Sequence, residues 1–398
     1  MLESPLALLL AAAVFIYGLL SRKTEQAAFT APMLFTTLGI VVGPAGLNWL
    51  TLEISGDGLR LLAELSLALI LFTDASQIER SHLLKFEILP IRLLAVGLPL
   101  TMALGALLAH SLFAGGWLLA TLLAIILAPT DAALAQAVFN KKDIAERLRH
   151  SITVESGLND GIALPVLLFV LALLAGSHQG DSGNIDHLHW LVFISGQFLI
   201  GSVWGLLTGR AGGWLSETAA RQQWMTPLYQ RLSAPALALI AYSGAESLHG
   251  NGFIAAFLAG LFLQSHHTRV IERLKEFGEA EGQLLSLLIF FFFGLIFVPD
   301  ALTSISLNAL LYALLSLTLI RIIPVLIALT GSGLPLKARL FLAWFGPRGI
   351  ASILYLLLVM DQLGFTQPQF HELFTTAVLT VLISVYLHGL SSRFFHRL

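Results

Sequence analysis

SITVESGLNDGIALPVLLFVLALLAG, residues 151–176, is a membrane-length run with two carboxylates, Glu155 and Asp160, set into its first half. A helix that rises about 1.5 Å per residue needs about 20 apolar residues to cross a bilayer. An ionisable side chain inside such a span costs at least about 2.5 kcal/mol on insertion scales, so each one requires a partner or a function. Glu155 and Asn159 lie four residues apart and share one helical face, and Ser156 and Asp160 share the adjacent one.

Twelve further apolar segments flank this one, giving thirteen spans at approximately 5–20, 27–43, 59–79, 86–112, 116–138, 152–175, 188–209, 227–248, 250–264, 282–300, 304–330, 338–360 and 370–390. The 398 residues are 57% hydrophobic and 12% charged, against roughly a quarter charged in a soluble domain. The fold class is an all-α membrane protein of about 13 transmembrane helices with the lipid bilayer as its surroundings, and no length is left over for a soluble catalytic domain. The first apolar run has no basic start and no small-residue cleavage site before Arg22 and Lys23, so it reads as a span and not a signal peptide.

Basic residues are retained on the cytoplasmic side during insertion. Eighteen of the 22 Lys and Arg fall in or at the margin of alternate connections and the C-terminal end, and only Arg60 faces the other way. That asymmetry supports the odd number of spans. It places the N-terminus outside and the C-terminus in the cytoplasm of a multi-pass protein of the cell (inner or plasma) membrane. The polar interval 265–281 reads as an amphipathic connector along the cytoplasmic face, and 176–187 as an external loop. A net charge of −2 and no basic patch argue against a nucleic-acid partner, and the absence of cysteine excludes disulfides and thiolate chemistry. His371-Glu372 lacks the second His of a zinc-protease helix, and His187, His189, His266 and His267 read as solvated loop residues. The chain reads as a secondary transporter, not an enzyme, with no cofactor.

Six charges stand inside the spans: Asp74, Asp131, Glu155, Asp160, Arg321 and Arg348. From the cytoplasmic ends they lie at depths of about 8, 10, 4 to 5, 12, 14 and 15 Å, using the helical rise. Five spans thus bring charge into one slab. Arginine stays protonated, so full ionisation leaves a local −2, and such a site must bind cations, hold protons or be reached by water. This is the chemistry of an exchanger in which a cation and protons compete for one carboxylate. Paired charges that only hold helices together are the competing reading.

Two spans are broken. Pro129 precedes Thr130 and Asp131 in the fifth, and Gly346-Pro347-Arg348-Gly349 interrupts the twelfth. Proline removes a backbone donor and disfavours helix in the residue before it, and unsatisfied backbone at that depth is tolerated only in a cavity or inside protein. Seven spans separate the two breaks, so they run in opposite directions, which is the pattern of an inverted-repeat transporter site. Asp131 can offset a half-helix N-terminus and Arg348 the C-terminal ends, both as scaffolding. If Glu155 pairs with Arg321 and Asp131 is balanced by Arg348, Asp160 is the uncompensated carboxylate at depth. Sodium and lithium favour oxygen ligands, and Asp160, the Ser156 hydroxyl, the Thr130 carbonyl and Asp74, with water, make such a set.

At these residues the sequence resembles the monovalent cation/proton antiporter family that holds the prokaryotic sodium/proton antiporters and animal sodium/proton exchangers. The resemblance rests on Phe72-Thr73-Asp74-Ala75, Thr130-Asp131, Glu155-Ser156-Gly157-Leu158-Asn159-Asp160-Gly161, Gly250-Asn251-Gly252-Phe253 with Ala259-Gly260, Arg321 with Pro324, and Arg348-Gly349. It implies a sodium/proton antiporter-like fold with two crossed broken helices, a core of about 83–176 and 304–396, and a dimerisation part of about 1–82 and 188–300. It further implies a homodimer working by elevator-type alternating access. Asp160 matches the ion- and proton-carrying Asp, with Thr130, Ser156 and Asp74 as co-ligands of the transported Na+ (or Li+). Glu155 and Arg321 match a core ion pair that Asn159 helps to position, and the Asn-Asp form implies electroneutral exchange. The family commonly has Thr-Asp-Pro where this chain has Pro129-Thr130-Asp131-Ala132, and often Glu at the position of Asp74. Potassium/proton exchange is the alternative, and a sodium-coupled organic-anion symporter of the same architecture is a more distant one.

Overall fold

The computed structural model describes residues 3–26, 29–51, 57–77, 88–131, 134, 144–178, 187–263, 268–363 and 368–391. Among them every regular element is a helix. In chain order these are α1 (Glu3–Gln26), α2 (Ala31–Val42), α3 (Asp57–Gln77), α4 (Ile88–Leu112), α5 (Gly116–Ile126), α6 (Glu146–His178), α7 (His187–Arg221) and α8 (Pro227–Ser247). They continue with α9 (Gly252–Leu261), α10 (268–303), α11 (Leu307–Leu317), α12 (Leu319–Ala328), α13 (Leu336–Trp344), α14 (Ile350–Leu363) and α15 (Pro368–Ser391). The helices fall on the thirteen spans read from hydropathy, and among the described residues six helical stretches, Leu307–Ala328 counted as one, are long and apolar enough to cross a membrane by length and composition.

Three local readings are corrected. The eleventh span is not one helix, because it breaks at Thr318 between α11 and α12. There the Thr318 hydroxyl, and not its amide, donates to the Leu314 carbonyl, at 2.7 Å. The amide turns to Leu315 instead. The connector 265–281 is not a separate element, since from Thr268 it is the opening of α10 itself. His187 and His189 stand at the start of α7 and not in a loop. His266 and His267, residues 179–186 of the external loop and most of 132–143 lie outside the described residues.

Two helices carry a widened π turn, at Leu93–Gly97 in α4 and Phe293–Phe297 in α10. Each ends two residues before a proline, Pro99 or Pro299. A proline has no amide and its ring crowds the carbonyl four residues back. The preceding amides, of Leu98 and Val298, reach five residues back to Leu93 and Phe293, so the turn opens where the ring needs room.

The chain divides into two compact units, one of Met1–Leu59, Ile88–Asn159 and Ser286–Leu398, the other of Arg60–Glu87 and Asp160–Leu285. Within the first, α2 and the π turn of α10 cross with their backbones in contact. A Cβ at Gly39 would collide with the Phe291 carbonyl and one at Gly294 with that of Thr36. Within the second, α7 presents Gly201, Gly205 and Gly209, four residues apart, to the carbonyls of Asn251, Ala255 and Ala259 in α9. Small residues at such spacing let helices approach closely in lipid, where association depends on packing. The core beside them is correspondingly alanine-rich, with Ala234, Ala238, Ala241 and Ala245 of α8 buried.

Candidate functional site

The site in the first unit is built where two helix breaks meet. α5 ends at Ile126 and the chain leaves helical geometry through Pro129, Thr130 and Asp131. α13 ends at Trp344, and residues 345–349 run non-helical to the start of α14. The breaks join backbone to backbone: the Asp131 amide donates to the Pro347 carbonyl at 2.8 Å. Each then lends its charge to the other's exposed peptide groups. Asp131 Oδ2 accepts the Ile350 amide at 2.9 Å, at the positive N-terminal end of α14. Arg348 Nη1 donates to the carbonyls of Ala128 at 2.5 Å and Pro129 at 3.2 Å, at the negative end of α5. Gly349 is needed for this approach, since a Cβ there would collide with Asp131 Oδ2.

Thr130, immediately after those two carbonyls, is tied to α6. Its Oγ1 accepts from Asn159 Nδ2 at 2.7 Å and lies 3.1 Å from the Ser156 hydroxyl. One turn earlier on α6, Glu155 Oε1 meets Arg321 Nη2 at 2.6 Å, with both side chains 2% exposed. Arg321 comes from α12, just beyond the break at Thr318, and its guanidinium packs on the other break: a Cβ at Gly346 would lie 2.5 Å from its Nε. Buried hydrogen-bonding capacity remains. Among the described residues Glu155 Oε2, Asn159 Oδ1 and Arg348 Nε and Nη2 meet no partner, and buried polar atoms of this kind are ordinarily satisfied by water or a ligand.

Of the residues singled out in the sequence, Thr130, Ser156 and Asn159 come together, as do Glu155 with Arg321 and Asp131 with Arg348 across the breaks. Asp160 directly follows Asn159 on α6, one turn beyond Ser156, and is partly buried. It belongs with Asp74, also partly buried in α3, to the second unit. Ser384 and His388 on α15 escaped the sequence reading. The Arg348 amide donates to Ser384 Oγ at 2.7 Å, and His388 spans from Ser384 to the Trp344 carbonyl. The signal for them was a four-residue spacing of Thr376, Thr380, Ser384 and His388, a polar stripe in an apolar span that is buried throughout.

Comparison with known proteins gives a consistent picture. A profile described as the transmembrane sodium/hydrogen exchanger matches residues 9–397. The K(+)/H(+) antiporter NhaP of Alkalimonas amylolytica is 27% identical over 368 residues, which are 91% of this chain and 61% of that protein. The K(+)/H(+) antiporter NhaP2 of Shewanella baltica is 26% identical over 379 residues, 94% of this chain and 63% of that protein. The chain therefore spans less than two thirds of the length of these relatives. The structure of the sodium proton antiporter MjNhaP1 from Methanocaldococcus jannaschii at pH 8 shares the fold, with a TM-score of 0.79 at 19% identity over 99% of this chain and 97% of that one.

Proposed function

This chain belongs to the sodium/hydrogen exchanger family, and from that premise we propose that it is a secondary antiporter exchanging a monovalent cation, Na+ or Li+, for a proton. The observation that carries this reading is the reciprocal crossing of the two breaks. Asp131 and Arg348 are each held by the other break's peptide groups, and Glu155 by Arg321, so two carboxylates and two guanidiniums go to scaffolding. What the scaffold holds in place is a cluster of hydroxyl and amide oxygens at Thr130, Ser156 and Asn159, one residue from Asp160.

Asp160 is the group for which cation and proton compete. A carboxylate neutralised by either one moves through an apolar barrier, whereas the empty anion meets a desolvation cost of several kcal/mol. Competition for one group couples the two fluxes without contact between the substrates. Hard alkali cations take oxygen ligands, and Ser156, Thr130 and Asp74 are the donors assigned beside Asp160. A neutral Asn159 carries no second proton, which makes the exchange one for one and electroneutral. The remaining parts of the reading are a homodimer in the cell membrane with the N-terminus outside and elevator-type movement of a core of about 83–176 and 304–396 against the rest.

A second reading, K+ for H+, has its own support in relatives named as K(+)/H(+) antiporters. Proton flux in proteoliposomes, with sodium, lithium and potassium offered in turn, separates the two. Asp160→Asn abolishes exchange while the protein stays folded; cation-driven proton movement retained in that variant refutes the assignment.

A further inference from the structure

Trp344 and Arg348 bound the second helix break: the carbonyl of Trp344 closes α13, where it accepts the Gly346 amide at 2.8 Å, and the amide of Arg348 lies within the non-helical run. Each meets a side chain of α15, the two standing one turn apart. The Arg348 amide donates to Ser384 Oγ at 2.7 Å. Ser384 Oγ lies 3.2 Å from His388 Nδ1, and His388 Nε2 lies 3.1 Å from the Trp344 carbonyl. Ser384 is fully buried and His388 is 1% exposed.

His388 Nδ1 also lies 3.0 Å from the Ser384 backbone carbonyl, so the ring is seated on its own helix and reaches the break through Nε2, which donates to the Trp344 carbonyl. At the other end of the break Ser384 Oγ accepts the Arg348 amide. Two side chains one turn apart on α15 thus clip the two ends of the break at the separation that helix sets. From Arg348 the path continues through its guanidinium to the carbonyls of Ala128 and Pro129, and the next residue is Thr130, held by Asn159 and Ser156.

We propose that Ser384 and His388 are positioning residues for the cation site, setting the backbone of the second break and, through Arg348, the placement of Thr130. They touch no transported ion; they act on the geometry of the oxygens that do. The inference rests on the exchange reading above in that Thr130 is there assigned to the ion.

The test compares Ser384→Ala and His388→Leu, which cut the clip, with Ser384→Thr and His388→Gln, which keep a hydroxyl and a donor able to reach Trp344. In proteoliposomes the cutting variants raise the apparent KM for the cation about threefold or more with a maximal rate within about twofold of wild type, and the conservative variants restore it. A cutting variant that folds and transports with wild-type KM overturns the proposal, as does a loss of maximal rate alone that neither conservative variant rescues. Hydrogen–deuterium exchange on the same samples reads the clip without transport: the amides of Arg348, Ile350 and Asp131 exchange faster in Ser384→Ala, and unchanged protection of all three refutes it. If the wild-type protein moves none of the three cations, the exchange reading fails, and the amide protection still decides whether the clip holds the break.

Discussion

Glu155→Ala isolates the buried tie between α6 and α12. Glu155 Oε1 and Arg321 Nη2 stand 2.6 Å apart, with each side chain 2% exposed. Removing the carboxylate leaves a guanidinium that stays protonated at any working pH. It cannot swing into solvent, because its Nε face packs against Gly346 in the neighbouring break. Truncating one partner of such a buried pair costs about 3–5 kcal/mol, a large part of the roughly 5–15 kcal/mol that holds a typical native fold. Replacing both partners, as Glu155→Leu with Arg321→Met, removes the desolvation cost of both charges and should return to within about 2 kcal/mol of wild type. The chain has no cysteine, so thiol-reactive dyes report nothing, but its seven tryptophans make intrinsic fluorescence a suitable probe of denaturant unfolding in micelles. A double-mutant cycle extracts the coupling. An unchanged unfolding midpoint for Glu155→Ala, or a double variant as destabilised as the sum of the singles, refutes the argument that this pair is a structural tie.

Two further outcomes follow from the site. Gly349→Ala puts a methyl group into Asp131 Oδ2 and forces the breaks apart; overpacking of this kind costs about 1–3 kcal/mol, and exchange falls about tenfold or more, with a wild-type transport rate as the refuting result. One-for-one exchange moves no net charge, so an imposed membrane potential leaves the initial rate unaltered, and a rate that rises with voltage in a valinomycin-clamped liposome assay rejects electroneutrality.

The spans were legible because burial in lipid leaves a long signal: each helix needs its own apolar run, and most lysines and arginines fall in every second connection between the runs. The two proline breaks were legible for a similarly local reason, since Pro129 and Pro347 each remove a donor whatever the rest of the fold does. Thr318 was not. A threonine in an apolar span is commonplace, and the hydroxyl bond Thr318 makes to the carbonyl four residues back is also made by Thr376 and Thr380 inside the unbroken α15, so nothing local marks Thr318 as the break. Ser384 and His388 escaped for a different reason. Their spacing marks a polar face on α15, but the groups they meet belong to residues 344 and 348, some 40 positions away in the chain, and no local pattern states which backbone groups of a distant break a side chain will reach.

The kind of partner given to each charge bears on mechanism. Asp131 and Arg348 each bond to peptide groups of the opposing break, which neither titrate nor leave, and Glu155 is matched by Arg321. In the proposed exchange, the changes of protonation and occupancy fall to Asp160, the next residue after Asn159. A serine and a histidine that clip the second break belong to the same logic. There hydrogen bonds to backbone groups, and not a further ion pair, join the two ends of the break.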